Sequence, residues 1–393
     1  MPNTKLVRIG GLALLAFLAS TSGLDGQERG RGISGRRTFD AQPGGTLVLE
    51  LRSGGSIDVE GWDRNQIEIV YGDPENDQAD FEITFDQRSD GLAVAARYAE
   101  RVHRTALRLE IRVPRRFSIQ TRSAGGGIAL TDLQGTFSGS TDGGAIVIHN
   151  VQGVARLSSG GGGIEIIDSE LDGRVSTGGG EALVQNVVGD VRAISGGGDV
   201  QYRNVRDPRG GLRAPADLCD ADITERTILI TNAGGGITLP EAPEGACVRT
   251  GGGDIDVRGG RRFVHALTGG GDIQVRTESG DVTANTGAGE IEVSVERAAG
   301  SGAITLTTGL GDITLVVPRG FSARYDLTIG YTRSSSQDFR IVSDVDLAEE
   351  RTTRWDSSWG SPRRFIRGTG QSGDGDYRIE IRTTNGSITV RER

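Results

Sequence analysis

The chain has 393 residues, of which 63 are glycine and 10 proline, with 35% hydrophobic and only 5% aromatic residues. Glycine lies far above its usual share of about 7% but has no three-residue period, which excludes collagen. The formal net charge of −9 and the scarcity of aromatics exclude a phosphate-tracking, base-stacking nucleic-acid surface.

Residues 1–26 read as a secretory leader. Lys5 and Arg8 supply its positive start, Ile9 to Ala19 its apolar stretch, and Ser20-Thr21-Ser22-Gly23 its small residues. The apolar stretch is too short to span a bilayer, and no later segment is long or apolar enough to do so. Cleavage is expected after Gly23 or Gly26. The mature protein is therefore expected to be exported, to the periplasm, the outer surface or beyond the cell. Loss of 1–26 removes Lys5, Arg8 and Asp25, which takes the charge from −9 to about −10. Lys5 is the sole lysine, so the mature chain has none for a P-loop, a Schiff base or a lysine general base.

Residues 27–37 form a glycine- and arginine-rich lead-in. From 38 to 122, apolar residues alternate with polar ones, as at Leu47/Leu49/Leu51, Ile67/Ile69 and Leu107/Leu109/Ile111/Val113. Period-two alternation predicts half-buried strands. This N-terminal β module is expected to cover the first edge of a glycine-rich repeat region.

At Ser123 an 18-residue repeat begins. Ile128, Ile146, Ile164, Ala182 and Val200 form one apolar column, and Leu130, Ile148, Ile166, Val184 and Tyr202 a second. Ser123, Thr141, Ser159, Thr177 and Ser195 form a hydroxyl column, and Asp132, Asn150, Asp168, Asn186 and Asn204 an Asp/Asn column. Each unit offers two short strands separated by glycine corners. One unit cannot bury its apolar face alone, but stacked units can. The hydroxyl and Asp/Asn columns are expected to bond the corners, and stacked asparagines to bond one another. The register breaks after Val200 and resumes at Ile237, then Ile255, Ile273 and Ile291. The interruption at 206–226 predicts a loop bulging from the stack. Cys219 sits in it and Cys247 lies beyond it, the two flanking one predicted strand; in an oxidising compartment they are expected to pair.

Beyond Pro318 the pattern loosens. Val317-Pro318-Arg319-Gly320-Phe321 echoes Val113-Pro114-Arg115-Arg116-Phe117. Residues 332–364 are polar and read as a long loop carrying Trp355 and Trp359. A closing hairpin at Tyr377–Val390 is expected to cap the C-terminal edge. The fold class predicted is all-β: a parallel β-solenoid, or β-helix, right-handed and of about 18 residues per turn. It occupies 123–317, with 318–393 as C-terminal loop and cap.

Several of these features resemble a known family. Ser53-Gly54-Gly55-Ser56-Ile57, Gly61-Trp62-Asp63, Val113-Pro114, the serial Ser/Thr-Gly-Gly-Gly-Asp-Ile units and Thr384-Asn385-Gly386-Ser387-Ile388 are similar to the bacterial "putative adhesin" family, a domain of unknown function. The resemblance spans nearly all of the mature chain. It implies a glycine-rich β-solenoid with a surface or envelope role, and no catalytic residues to carry over.

The aspartates after the glycine clusters (Asp199, Asp254, Asp272, Asp312) invite comparison with secreted calcium repeats. Here the residue between glycines and aspartate is missing, so a solvated face is expected and no metal or cofactor. Asp254, Asp256, Asp272, Arg258 and Arg276 could share one outward face and supply the carboxylates of a polysaccharide lyase or hydrolase. Outward charge is the ordinary state of such a surface, so no catalytic residue is assigned. His103, His149 and His265 fall out of register and predict no shared metal site. Trp62, Trp355 and Trp359 read first as loop anchors, with Trp355 and Trp359 the candidate contacts for an envelope glycan or protein partner. The reading is a non-enzymatic, exported adhesin-like or envelope-structural protein. Intact-mass analysis is expected to show a Cys219–Cys247 disulfide, as a gain of two hydrogens on reduction; two free thiols in the folded protein would overturn it.

Overall fold

The computed structural model describes residues 28–31, 34–52, 54–72, 81–98, 107–206, 227–297, 300–335, 338–356 and 362–393. The leader, Cys219 and Trp359 lie outside them. The described residues form strands and connections with no helix, in two large and mostly parallel sheets.

The 18-residue period is the register of the strand pairing. Ile128 pairs with Ile146, Ile146 with Ile164, Ile164 with Ala182, and Ala182 with Val200, always in parallel. Val200 then pairs with Ile237, so the ladder bridges the interruption. From Ile237 it continues through Ile255, Ile273, Ile291 and Ile313 to Ile388. A second ladder is built from the other half of each unit, as in Phe137 to Ala155 and Val175 to Ala193. Its C-terminal part, from Ile228–Thr231 onward, belongs to a separate nine-stranded sheet.

Alternation along each strand sends every second side chain inward. Ile146, Ile148, Ala155 and Leu157 are all at most 3% exposed. Each fully buried aliphatic side chain of this kind contributes roughly 1.5–3 kcal/mol relative to exposure. No layer is thick enough to stand alone, so stability accumulates by addition of layers.

The corners explain the glycines. A Cβ on the glycine third after the hydroxyl residue would strike the backbone of the previous layer, 1.9 Å from the Gly126 oxygen at Gly144 and 2.3 Å from the Gly235 carbonyl carbon at Gly253. The second glycine is different: at Gly161, Gly179 and Gly270 a Cβ would meet nothing within 4 Å. The chain itself places Ala288 and Leu310 at that second position.

The ends depart from simple succession. Thr46–Leu51 lies between Gly91–Tyr98 and Ser118–Ser123, parallel to both. Ser56–Trp62 lies likewise between Arg108–Pro114 and Ile128–Thr131. The ladder therefore runs on through residues 46–62, and strands later in sequence lie outside them. Antiparallel strands Gln66–Gly72, Phe81–Arg88, Ser34–Asp40 and Glu28–Arg31 close that end.

The C-terminal end repeats the device. Tyr377–Thr384 lies between Gly302–Thr308 and Ala323–Thr332, and Ile388–Glu392 between Ile313–Val317 and Ile341–Ser343. The closing strands are thus not a hairpin at the edge, as the sequence suggested. They sit in opposite sheets, one layer in. Asn385-Gly386 resembles a hairpin turn but is a stacked corner, with Gly386 against Gly311, where a Cβ would lie 1.9 Å from the carbonyl oxygen. The edge is formed instead by Ala323–Thr332, Arg363–Ser372 and Ala348–Arg351. The stretch expected as one long loop contains the short strands Ile341–Ser343 and Ala348–Arg351.

The two Val-Pro-Arg-x-Phe segments mark the places where the chain steps across a layer. Proline lacks the N–H that would prolong a ladder. Each phenylalanine is 1% exposed. Phe321 stacks on Tyr377 with centroids 4.6 Å apart, and Phe117 fills the space at Gly45, where a Cβ would come within 2.7 Å of its ring.

Gly253→Ala is expected to destabilise by about 3 kcal/mol or more, since backbone on both sides must shift. Gly270→Ala, one layer on but at the open second position, is expected to be neutral or to stabilise by about 0.4–1 kcal/mol. Paired denaturant melts check this; equal effects would refute the difference between the two positions.

Candidate functional site

The polar columns are bonded into the backbone. Thr141, Ser159, Thr177 and Ser195 are at most 5% exposed. Each donates its hydroxyl to the carbonyl 15 residues back, at 2.7–2.8 Å, onto Gly126, Gly144, Gly162 and Gly180. Each hydroxyl also accepts from an amide of its own glycine cluster, as from Gly162 at 2.9 Å and Gly198 at 2.8 Å. Asn232 substitutes in the layer after the insertion, donating to Gly198 and Gly235.

The Asp/Asn column holds the left-handed backbone, with φ of 50–58° at Asp132, Asn150, Asp168, Asn186 and Asn204. Asn and Asp are the non-glycine residues that tolerate this region best. Asn150 donates to Asp132 at 2.5 Å, Asn186 to Asp168 at 2.8 Å and Asn204 to Asn186 at 2.9 Å. Further along, Gly259 takes the same place with φ of 63°.

The aspartates after the glycine clusters have a role that sequence reasoning missed. Asp254 accepts from the Asp272 amide at 2.8 Å, and Asp272 from the Glu290 amide at 2.7 Å. Asp199 accepts from Gly236 and Asp312 from Ser387 in the same way. Each carboxylate staples the next layer. The spacing of Asp254 and Asp272 was the available signal, since equal register places the donor directly above the acceptor.

Asp199, Asp254, Asp256, Asp272, Glu290 and Glu292 line an open groove of about 750 Å³ along these corners. Asp256 is paired with Arg258 at 2.7 Å. Among the described residues no group of three or more His, Cys, Asp or Glu is arranged to hold a metal ion. His149 lies 3.6 Å from Asp168 at the surface, and His265 packs edge-on to Phe263.

The interruption leaves the second ladder open: the sheet carrying Val191–Ser195 does not pair with Ile228–Thr231. Tyr202 compensates from across the core. Its hydroxyl accepts the Ala193 amide proton at 2.8 Å. Burial pushes the Tyr202 phenol up to about 12, while the bond from Ala193 pulls it down. Cys247 is fully buried in the following strand, Ala246–Thr250, with Phe263 and Leu229 against it. Its expected partner Cys219 lies outside the described residues.

Trp355 is half-buried at the C-terminal end. Arg364 and Arg333 lie over its ring at 4.6 and 5.0 Å, and Tyr331 meets it edge-on at 6.0 Å. The Nε atoms of Arg363 and Arg364 are buried, with no hydrogen-bond partner among the described residues. The indole thus fixes two guanidinium groups beside a polar edge, a cation–π arrangement. Trp62, by contrast, is an anchor: its indole N–H donates to the Gln66 carbonyl at 2.8 Å, under Arg64.

No family model matches the sequence, and no curated protein matches it. Solved structures of similar extent do. One is described as a "putative cell adhesion protein" from Clostridium sporogenes, 8% identical, covering 92% of this chain and 100% of that one, with a TM-score of 0.16. Two are described as a "putative adhesin": from Parabacteroides distasonis, 10% identical over 92% and 98% with a TM-score of 0.21, and from Parabacteroides merdae, 7% identical over 91% and 96% with a TM-score of 0.20. At these scores the likeness carries no functional weight.

Tyr202→Phe is expected to cost about 1–3 kcal/mol, because the Ala193 amide loses its acceptor. An acid whose value in the fold exceeds its unfolded value near 10 contributes stability that is full below pH 10 and lost as pH rises toward 12. The variant should therefore flatten that part of the alkaline decline. An unchanged melt at neutral pH would refute the capping role.

Proposed function

We propose that this chain is an exported, non-enzymatic β-solenoid of right-handed sense and about 18 residues per turn, with an adhesin-like or envelope-structural role. The carrying observation is the unbroken parallel register of the first ladder, Ile128 through Val200 and Ile237 through Ile388, which holds that ladder's outward columns at strand spacing. A rigid face of repeated side chains suits multivalent contact and needs no enclosed cavity. Export is supported by the leader-like residues 1–26. A Cys219–Cys247 disulfide fits that compartment, and no free cysteine stands among the described residues. The same export reading makes an envelope glycan or protein the partner. A carbohydrate-active enzyme is the competing reading. Against it, Asp199, Asp254, Asp272 and Asp312 already commit one carboxylate oxygen to the next layer's amide.

Trp355, with Trp359 nearby in sequence, is the proposed partner contact at the C-terminal end. Among the described residues no helix is long and apolar enough to cross a membrane. A glycan array, with a pull-down from envelope material, tests the reading. Trp355→Ala should weaken capture while leaving the melting temperature within a few degrees. Capture of nothing by the wild type would leave a purely structural role; turnover of a glycan would favour the enzyme.

A further inference from the structure

Three arginines stand in one column on the outer side of the second ladder. Arg156 pairs in register with Arg174, and Arg174 with Arg192. All three are exposed, and they alternate with the buried Ala155, Val175 and Ala193. Neighbouring parallel strands lie about 4.8 Å apart, so three guanidinium groups rise from the sheet at that spacing.

Such a column opposes itself, since like charges directly across paired strands are destabilising. Like charges also face one another at Asp58–Glu110 and Arg324–Arg378, but several other arginines are matched to carboxylates. Arg112 is matched to Glu60 at 3.1 Å, Arg115 to Asp63 at 2.8 Å, and Arg261 to Glu278 at 3.1 Å. Asp254 and Asp272, also adjacent and alike in charge, are offset by amide donors. In the arginine column only Arg192 has a carboxylate, Asp190, at 3.5 Å. Arg156 and Arg174 form no ion pair among the described residues. Beside them runs a floor of short hydroxyls: Ser140, Ser158 and Ser176 share the next outward column, and Ser138 precedes Arg156 in its own. On the other side stand Val154, Asp172 and Asp190, with Asp172 accepting the Asp190 amide at 2.9 Å. The result is a strip in which Arg156 and Arg174 carry positive charge without an ion pair while Arg192 is matched to Asp190, on a chain whose net charge is −9.

We infer that this strip binds a polyanionic polysaccharide laid along the stacking direction, with carboxylate or sulfate groups meeting Arg156, Arg174 and Arg192 in turn. The strand spacing is comparable with the rise of one sugar unit in an extended chain, so successive acidic sugars find successive guanidinium groups. Arginine pairs with carboxylate and sulfate oxygens in a fork geometry, and the serines can hold neighbouring sugar hydroxyls. A nucleic acid is a poorer fit, because the strip has no aromatic to stack a base. The inference rests on the binding role proposed above and names the ligand class for a second face of the molecule.

The test is binding of the full mature chain to polygalacturonate and to dextran sulfate, with neutral dextran, double-stranded DNA and anionic vesicles in parallel. The comparison variant is Arg156→Ser/Arg174→Ser, which installs the residue the chain already uses at position 138. Wild type should bind one or both acidic polysaccharides, more weakly as salt rises, and not neutral dextran. Preference between the two separates carboxylate from sulfate. The variant should lose at least about tenfold in affinity while its melting temperature holds or rises, because a repulsive contact has gone. If it fails to fold, Arg156→Gln/Arg174→Gln supplies the same comparison with longer side chains. Unchanged affinity in the folded variant, or tighter binding to DNA or vesicles, overturns the inference. Wild-type capture of other glycans with no effect of these substitutions sinks the strip and spares the adhesin-like reading; capture of no glycan and no envelope component sinks both.

Discussion

Everything in this molecule depends on how closely one glycine corner can approach the next. At the third residue of each cluster, backbone rests on backbone, and there is no room for a single methyl group, as at Gly144 on Gly126 and Gly253 on Gly235. That contact sets the layer spacing and the 18-residue register, and it lets the hydroxyl of Thr141 or Thr250 reach the carbonyl below. The apolar columns then align because their register is already fixed. A thin core of valine and isoleucine suffices, since each layer is covered above and below.

The same geometry converts polar residues from surface decoration into structural parts. Buried hydroxyls, left-handed asparagines and the corner aspartates each satisfy an amide, a carbonyl or one another across layers. Where the second ladder fails at the insertion, Tyr202 replaces the missing bond from the opposite side of the core. Residues that look like ligands in a glycine-rich sequence are therefore mostly occupied. The exposed Arg156 and Arg174 differ in having no such partner among the described residues of a neighbouring layer.

Periodicity made much of this legible before any coordinates. The Ile128-to-Val200 and Ile237-to-Ile291 columns pair as their spacing predicts, and the asparagine column stacks as expected. The ends were not legible, because a strand's local pattern says nothing about which neighbour it joins. Tyr377–Thr384 alternates like any half-buried strand, and Asn385-Gly386 carries the chemistry of a hairpin; only the long-range pairing to Gly302–Thr308 distinguishes a corner from a turn. The aspartate staples were hidden for a related reason: outward alternation suggested solvent, while the acceptor's real partner lay one layer away. The arginine strip sat in the half of the repeat where the apolar signal is weaker, with Gln120 and Ser138 at the same position in earlier units.

The inset C-terminal strand has a mechanical meaning. Ile388–Glu392 is flanked on both sides, and Arg393 is tied to Val317 and Arg319. A pull along Ile388–Glu392 therefore acts on a strand gripped by a parallel neighbour on each side. Its hydrogen bonds run across the direction of load and must yield together in shear, whereas an edge strand would unzip one bond at a time.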